Sequence, residues 1–396
     1  MQSLRAQLRT LLDGGPFAPV PDPYPLYARL RSEAPAYDLA ANDAPRRNWL
    51  ITRYDDVRRA LRDESLFSNR VNSRGAGLVM GRTIIEMDGA EHLKHRNLIT
   101  PALAPRALRG DFPAFVEGIA HDIVDRFAKQ GRCDLVPDFT FLYPLRVFVE
   151  ILGLPPEEVP RFHALAADLA LIAKDPGRAI EASKQLAEYL TPVVALRRRE
   201  PADDLLSVLA TTEVDGEQMT DEEVVSFLRL LVSAGAETTY HLLGSMLAVL
   251  MREPTLLEQL SAERHRIDDF VLETLRFESP VSTIPREALR DCEIAGQKIA
   301  AGDDVLLLIG SANRDDAHYP DPDRFDLERD SSDHLAFGIG KHFCAGSRLA
   351  LLEARVGLEV VLDRLGELQL EGSDPAEIIG FAFRGPATLP VRFEAA

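Results

Sequence analysis

The chain is poor in cysteine, with three among 396 residues: Cys133, Cys292 and Cys344. Odd in number and far apart, they do not form a disulfide framework. No CxxC or HExxH spacing occurs, which removes the common zinc patterns. Positive charge is also in deficit, with 45 Lys and Arg against 63 Asp and Glu, a net charge of −18. An acidic surface argues against nucleic acid and anionic membranes, both of which attract basic patches. The N-terminus, "MQSLRAQLRTLLDGGPF", lacks an apolar signal core, and no spanning segment appears. Low-complexity linkers and internal repeats are missing as well. These absences lead us to expect a cytoplasmic protein with no membrane anchor, folded as one large domain over 1–396. At 46% hydrophobic and 27% charged, it can bury an interior site.

What is present is mostly helical pattern. "YDDVRRALRD", "AEHLKHRNLI", "DFPAFVEGIAHDIVDRFAKQ", "PLRVFVEILG" and most of 156–212 have helical periodicity. The longest signal runs from Thr220 to about Arg252, with a capping box of Thr220 and Glu223 and with Pro254 beyond its end. Apolar on nearly all faces, it reads as a helix through the middle of the protein. Arg229, Glu237 and His241 argue against a membrane span. After a helix near 266–278, "CEIAGQKIAAGDDVLLLIG" reads as a strand pair. "SANRDDAHYPDPDRFDLERD" reads as a long ordered loop, 349–363 as a helix and "GFAFRGPATLPVRFE" as a hairpin. The Pro-rich "PFAPVPDPYP" reads as extended coil. The fold class is mainly α with a smaller β portion.

"FGIGKHFCAGSRLA", residues 337–350, sets Cys344 among glycines at the start of a helix. A phosphate loop does not fit, because Leu335 stands where its first glycine belongs and His342 follows Lys341. A dinucleotide fingerprint fails at Phe343. An inert buried cysteine is the plain alternative. Against it, Gly338, Gly340 and Gly346 clear space for something flat and large. Helix N–H groups starting near Ala345 would aim at the sulfur and favour a thiolate. Such a cradle suits an iron ligand better than a hydrolytic nucleophile.

Phe337, Gly340, His342, Cys344 and Gly346 resemble the haem-binding signature of the cytochrome P450 family, Phe-x-x-Gly-x-Arg/His-x-Cys-x-Gly. Three further motifs follow the family's order: Glu273 and Arg276 in "LETLRFESPV", the oxygen-activating stretch Ala234 to Thr238, and His92 and Arg96 in "EHLKHR". "RYDDVRRAL", "SANRD" and "PDPDRFD" are similar to other stretches of soluble bacterial members. The resemblance implies the cytochrome P450 fold, with haem b buried between the long central helix and the Cys344 loop.

It also implies roles. Cys344 would be the axial thiolate, in a loop that includes Phe337, Gly338 and Gly346. Glu273 and Arg276 lie i, i+3 on one helix and would form a buried pair that pins the loop beneath the haem. His92, Arg96, Arg286 and His342, which stands where the family more often has Arg, would meet the haem propionates. His95 reads as a surface residue. Glu237 and Thr238 would form a proton relay for oxygen activation. Thr239 is set aside because it points about 100° away. Substrate-pocket walls implied by analogy are Leu78, Val79, Ala234, Val281, Ile284, Phe381 and Phe383, mostly apolar.

The implied activity is a haem-thiolate monooxygenase, a monomer acting on a hydrophobic small organic substrate with O2. Electrons would come from a ferredoxin-type iron–sulfur protein and its NAD(P)H-dependent reductase, steered by a basic patch of Arg106, Arg109, Lys341 and Arg348. A peroxide-using or isomerising member of the fold, or a non-catalytic haem sensor, are the alternatives. The Glu237–Thr238 pair speaks against the first.

Overall fold

The computed structural model describes residues 4–12, 19–39, 46–103, 111–169, 175–372 and 376–395. Its axis is the central helix. The Thr220 hydroxyl accepts the Glu223 N–H, and the Glu223 carboxylate accepts the Thr220 N–H, the capping box expected from the sequence. The helix is α over Asp221–Leu231, widens to π over Val232–Glu237, and resumes as α over Thr238–Arg252. The uninterrupted helix expected from periodicity is therefore broken at the stretch Val-Ser-Ala-Gly-Ala-Glu. Gly235 and Ala236 place no bulk there. Thr238 and Thr239 both turn their hydroxyls back, onto the carbonyls of Ala234 at 2.7 Å and Gly235 at 2.9 Å.

The half from Leu242 to Leu250 is buried throughout. It forms the main core with the helices Phe112–Val124, Leu142–Ile151, Ile267–Phe277 and Ser347–Arg364. The other half, with Val224 to Leu230, packs in a second core against the helix Pro176–Arg199. All-round apolarity thus becomes burial between two cores. No described helix is long and apolar enough to cross a membrane.

The β portion is five small sheets among the described residues. The largest runs Ala36–Asp38, Asn48–Ile51, Asp304–Leu308, Thr283–Ala288, Phe67–Ser68. Antiparallel pairing of Val305 with Arg286 fixes that arginine on an inner strand. The stretch read as a strand pair holds three strands: Cys292–Ile294 and Gln297–Ile299 form a hairpin turning at Ala295 and Gly296, both with positive φ (49° and 76°), and Asp304–Leu308 lies in the largest sheet.

Two expectations are corrected. "PFAPVPDPYP" is not extended throughout, because a helix begins at Tyr24, with Pro25 in its first turn where a missing N–H costs nothing; residues 16–18 lie outside the described residues. The single C-terminal hairpin divides. Ile378–Ile379 pairs with Gly385–Pro386, whereas Pro390–Ala395 joins Leu365–Leu370 and Arg132–Asp134. Arg384 divides them: it is buried and donates to the carbonyls of Gly380 and Ile378, closing a tight turn.

Candidate active site

The Cys344 loop starts from backbone geometry. The Cys344 N–H donates to the Phe337 carbonyl at 2.9 Å, and Gly338 and Gly340 take φ of +64° and +76°. A Cβ on Gly340 would also lie 3.6 Å from Arg62 Cα. Both glycines therefore serve the turn itself. The following helix is Ser347–Arg364, and the N–H groups of Gly346 and Ser347 point at the sulfur. Burial nevertheless pushes the thiol pKa up; the two N–H groups and the charge of Arg96 offset only part of it. Protein surroundings alone do not make the thiolate here, but a coordinated metal cation would.

Cys344 borders a cavity of about 350 Å³. Phe337, Gly338 and Gly346 share its floor, and Ala234 and Gly235 of the π turn and Thr238 just after it border it. The remaining wall is largely apolar.

At one edge stands a cluster of nitrogen bases. His92 and Arg286 are buried, and the His92 and His342 rings lie 3.8 Å apart at 36°. His92 Nδ1 and His342 Nε2 have no hydrogen-bond partner among the described residues. Burial lowers the pKa of each member: His342 falls to about 3 and Arg286 to about 10, and His92 and Arg96 also move down. The nearest carboxylate, Asp88, is engaged by Ser68 and Asn69 and stands 3.9 Å from His342 Nε2. Desolvated cations and orphaned ring nitrogens beside a cavity call for an anionic partner.

Glu273 and Arg276 are both 0% exposed. They make a two-pronged ion pair at 2.7 Å, and Arg276 also donates to the carbonyls of Asn313 and Pro322. Glu273 accepts from the Asp326 N–H and from Ser331. The pair thus ties the helix Ile267–Phe277 to the long loop that leads to Phe337.

Glu237 and Thr238 diverge. Thr238 borders the main cavity; Glu237 borders a second one, of about 180 Å³, behind the central helix. Its carboxyl is pushed up to about 7 by burial, against an opposing bond from Ser233 at 3.2 Å.

Several sequence expectations are overturned. Leu78 is 70% exposed, and the Val79 side chain packs in the second core, its carbonyl bonded by Ser183. Phe381 and Phe383 pack against the N-terminal helices near Tyr24 and Tyr27. None of these four is among the residues bordering the main cavity, whereas Ala234, Val281 and Ile284 are. The helix Ala76–Met80 directs Val79 at the helix Pro176–Arg199, and the Arg384 turn carries the phenylalanines to the N-terminal side. His95 is not a surface residue: it is buried, bonded to the Glu91 carbonyl and to Glu223 Oε1, each at 3.0 Å. Thr239 borders the main cavity beside Thr238, since the cavity is wide enough to meet two neighbouring positions of the α-helix Thr238–Arg252. Arg106 and Arg109 lie outside the described residues; Lys341 is paired with Glu64 at 2.7 Å and Arg348 is exposed. Sequence reasoning also missed Phe148 and Glu353 on the cavity wall. Phe148 has no local signal. Glu353 had one, a carboxylate four residues after Leu349 on the helix's apolar stripe, and it is buried with its pKa raised by desolvation.

The model of the family described as Cytochrome P450 matches residues 165–382. The cytochrome P450 monooxygenase PikC of Streptomyces venezuelae is 34% identical over 94% of this chain and 91% of its own. The chain belongs to the cytochrome P450 family.

Among solved structures, this P450 is similar to CYP109Q5 from Chondromyces apiculatus, at 37% identity and a TM-score of 0.86, covering 95% of this chain and 96% of that one. It is also similar to CYP109E1 from Bacillus megaterium, solved in complex with testosterone, at 29% identity and a TM-score of 0.84, over 94% and 99%. The family carries a haem-thiolate cofactor and P450 monooxygenase activity. The residues present fit that group: one cysteine sulfur meets two backbone N–H groups on the cavity floor, and an unneutralised basic cluster lies at its edge.

Proposed function

We propose that this P450 hydroxylates or epoxidises a hydrophobic small organic substrate. It takes O2 and two electrons from a ferredoxin-type iron–sulfur protein and its NAD(P)H-dependent reductase. Haem b is the cofactor we assign; when bound, it supplies the oxygen-activating redox chemistry. Cys344 would ligate its iron as a thiolate, with Phe337, Gly338 and Gly346 lining the same cavity. His92, Arg96, Arg286 and His342 would take the propionates, with the arginines as planar forks. Glu273 and Arg276 hold the loop that carries the ligand. The unneutralised basic cluster beside the Cys344 cavity is the observation that carries this reading.

The rest of the chemistry belongs to the chain. Ala234, Val281 and Ile284 offer the substrate apolar contact and exclude water. The Thr238 hydroxyl, now donating to the Ala234 carbonyl, can swing to the cavity and hold a proton there. Glu237, poised near neutrality, can give and regain one. A steroid-bound relative is consistent with a bulky apolar substrate class.

The test is a panel of terpenoids, steroids, fatty acids and aromatics added to purified protein and followed by the haem Soret band. At least one class should shift the band and yield oxygenated product with NADH and a ferredoxin chain. The CO complex of the reduced protein should show the red-shifted band of a thiolate ligand and lose it in Cys344→Ala. Retention of that band in Cys344→Ala would remove the ligand assignment, and band shifts without product would favour a sensor.

A further inference from the structure

The cavity behind the central helix has an apolar shell that includes Phe141, Leu145, and Ala166 and Ala167 of the helix Val159–Leu169. The two alanines leave room that larger side chains would fill. At about 180 Å³ the cavity exceeds the roughly 150 Å³ of an apolar cavity that accepts a benzene ring. An aromatic surface is ready for such a ring: Phe141 and Tyr240 both border the cavity, their centroids 5.1 Å apart at 51°. The polar groups of the wall are Ser233, Glu237 and Tyr240. Ser233 bonds Glu237 Oε2 at 3.2 Å, but nothing among the described residues bonds Glu237 Oε1 or the Tyr240 hydroxyl. Burial, and then the nearby Glu237, push the Tyr240 pKa up, so its hydroxyl stays a neutral donor. No Arg, Lys or His is among the described residues bordering the cavity. A cationic guest would give up its hydration for a single carboxyl that burial leaves half protonated near pH 7. A neutral hydroxyl bonds that carboxyl in either state, as donor to the carboxylate or acceptor from the acid.

We propose that the rear cavity is a second ligand site, fitted to a neutral single-ring phenol whose ring packs on Phe141 and Tyr240 and whose hydroxyl bonds Glu237 Oε1 and the Tyr240 hydroxyl. Such a guest is an effector and not a competitor for the main cavity. One π turn borders both spaces, with Ser233 and Ala236 behind and Ala234 and Gly235 in front. A phenol behind the turn leaves the apolar contacts of Ala234, Val281 and Ile284 to the substrate. It holds Glu237, however, and so slows turnover. The site itself rests on the cavity and its unused hydrogen-bonding groups; its effect on turnover rests on the relay reading above.

The probe is para-fluorophenol, titrated into holoenzyme and followed by fluorine NMR and calorimetry. The main cavity is first filled with phenylimidazole, whose coordination to iron is read from the Soret band. One equivalent of fluorophenol should still bind and saturate. Ala167→Phe and Ala166→Leu, which fill the rear cavity, should abolish that binding and keep the parent CO band and phenylimidazole shift. Glu237→Leu should weaken fluorophenol roughly 10-fold, the usual contribution of a hydrogen bond to a charged group, and leave fluorobenzene unchanged. If an alanine variant loses the CO band, this fluorophenol-to-fluorobenzene ratio decides by itself. In turnover, fluorophenol should lower kcat of the parent without raising KM, and do neither in Ala167→Phe. Fluorophenol displaced by phenylimidazole would belong to the main cavity, and binding unchanged in both alanine variants would lie elsewhere. Either result overturns the site, as does the lack of saturable binding, which would leave the rear cavity to water. Saturable rear binding with unchanged kcat would keep the site and overturn its effector role together with the relay.

Discussion

Arg276 gives both prongs of its guanidinium to Glu273 and shares the rest among the carbonyls of Asn313, Pro322 and Arg324. Removing one partner of such a pair strands a buried charge, which costs about 3–5 kcal/mol. Glu273→Ala should therefore lower the urea midpoint by that equivalent and weaken haem retention, because the loop to Phe337 loses its tether. A midpoint within about 1 kcal/mol of the parent would show that the pair is not needed for folding. Thr238 is the second residue where one group decides an outcome. Thr238→Ala should leave haem binding and substrate affinity intact but divert oxygen to hydrogen peroxide. The check is product and peroxide formed per NADH oxidised. Unchanged product yield would shift attention to Thr239, whose hydroxyl is back-bonded in the same way beside the same cavity.

Among elements, the central helix borders both cavities, and its start is capped. The capping box satisfies N–H groups at its first turn, and Glu223 Oε1 also meets His95 on the helix Gly89–Ile99. Thr220→Ala should cost about 1 kcal/mol, the usual value of an N-cap. Glu223→Ala should cost more, since it removes the box and leaves His95 Nε2 without that partner in a buried site. Equal losses, measured by urea unfolding, would mean that the contact to His95 adds nothing.

For the whole molecule, buried histidines should add to acid sensitivity. His241 is held neutral down to about 3 by burial, with Nδ1 unpartnered among the described residues, and His334 down to about 4. Below about 6.5 an unfolded histidine takes a proton that folded His241 refuses. The stability this contributes is complete above 6.5 and is lost as pH falls towards 3, at up to about 1.4 kcal/mol per pH unit. Glu237 acts in the opposite sense: its raised carboxyl contributes below the ordinary carboxylate value, and the contribution is lost as pH rises through about 7. Unfolding measured from pH 7 to 4 should show an acid slope that shrinks in His241→Leu. An unchanged slope would place the acid sensitivity elsewhere.

By itself the sequence determined whatever depends on close spacing along the chain: the Phe337-to-Gly346 turn around Cys344, the Thr220 capping box and the pairing of Glu273 with Arg276. Such features are written within about ten residues, where backbone geometry leaves few choices. Only the tertiary structure decided which way shared residues look. The π turn has no periodic signal of its own, and the placement of Glu237 on the rear cavity and of Thr238 and Thr239 on the main one was set by how the helix packs. The burial of His95 depends on a partner 128 residues away. The cavity walls join Phe148, Ile284 and Glu353 from three distant elements, while Leu78 and Phe383, which analogy placed there, went to solvent and to the N-terminal core. Each of these outcomes rests on packing between segments far apart in sequence, and local pattern does not encode which of two apolar faces will find its partner first.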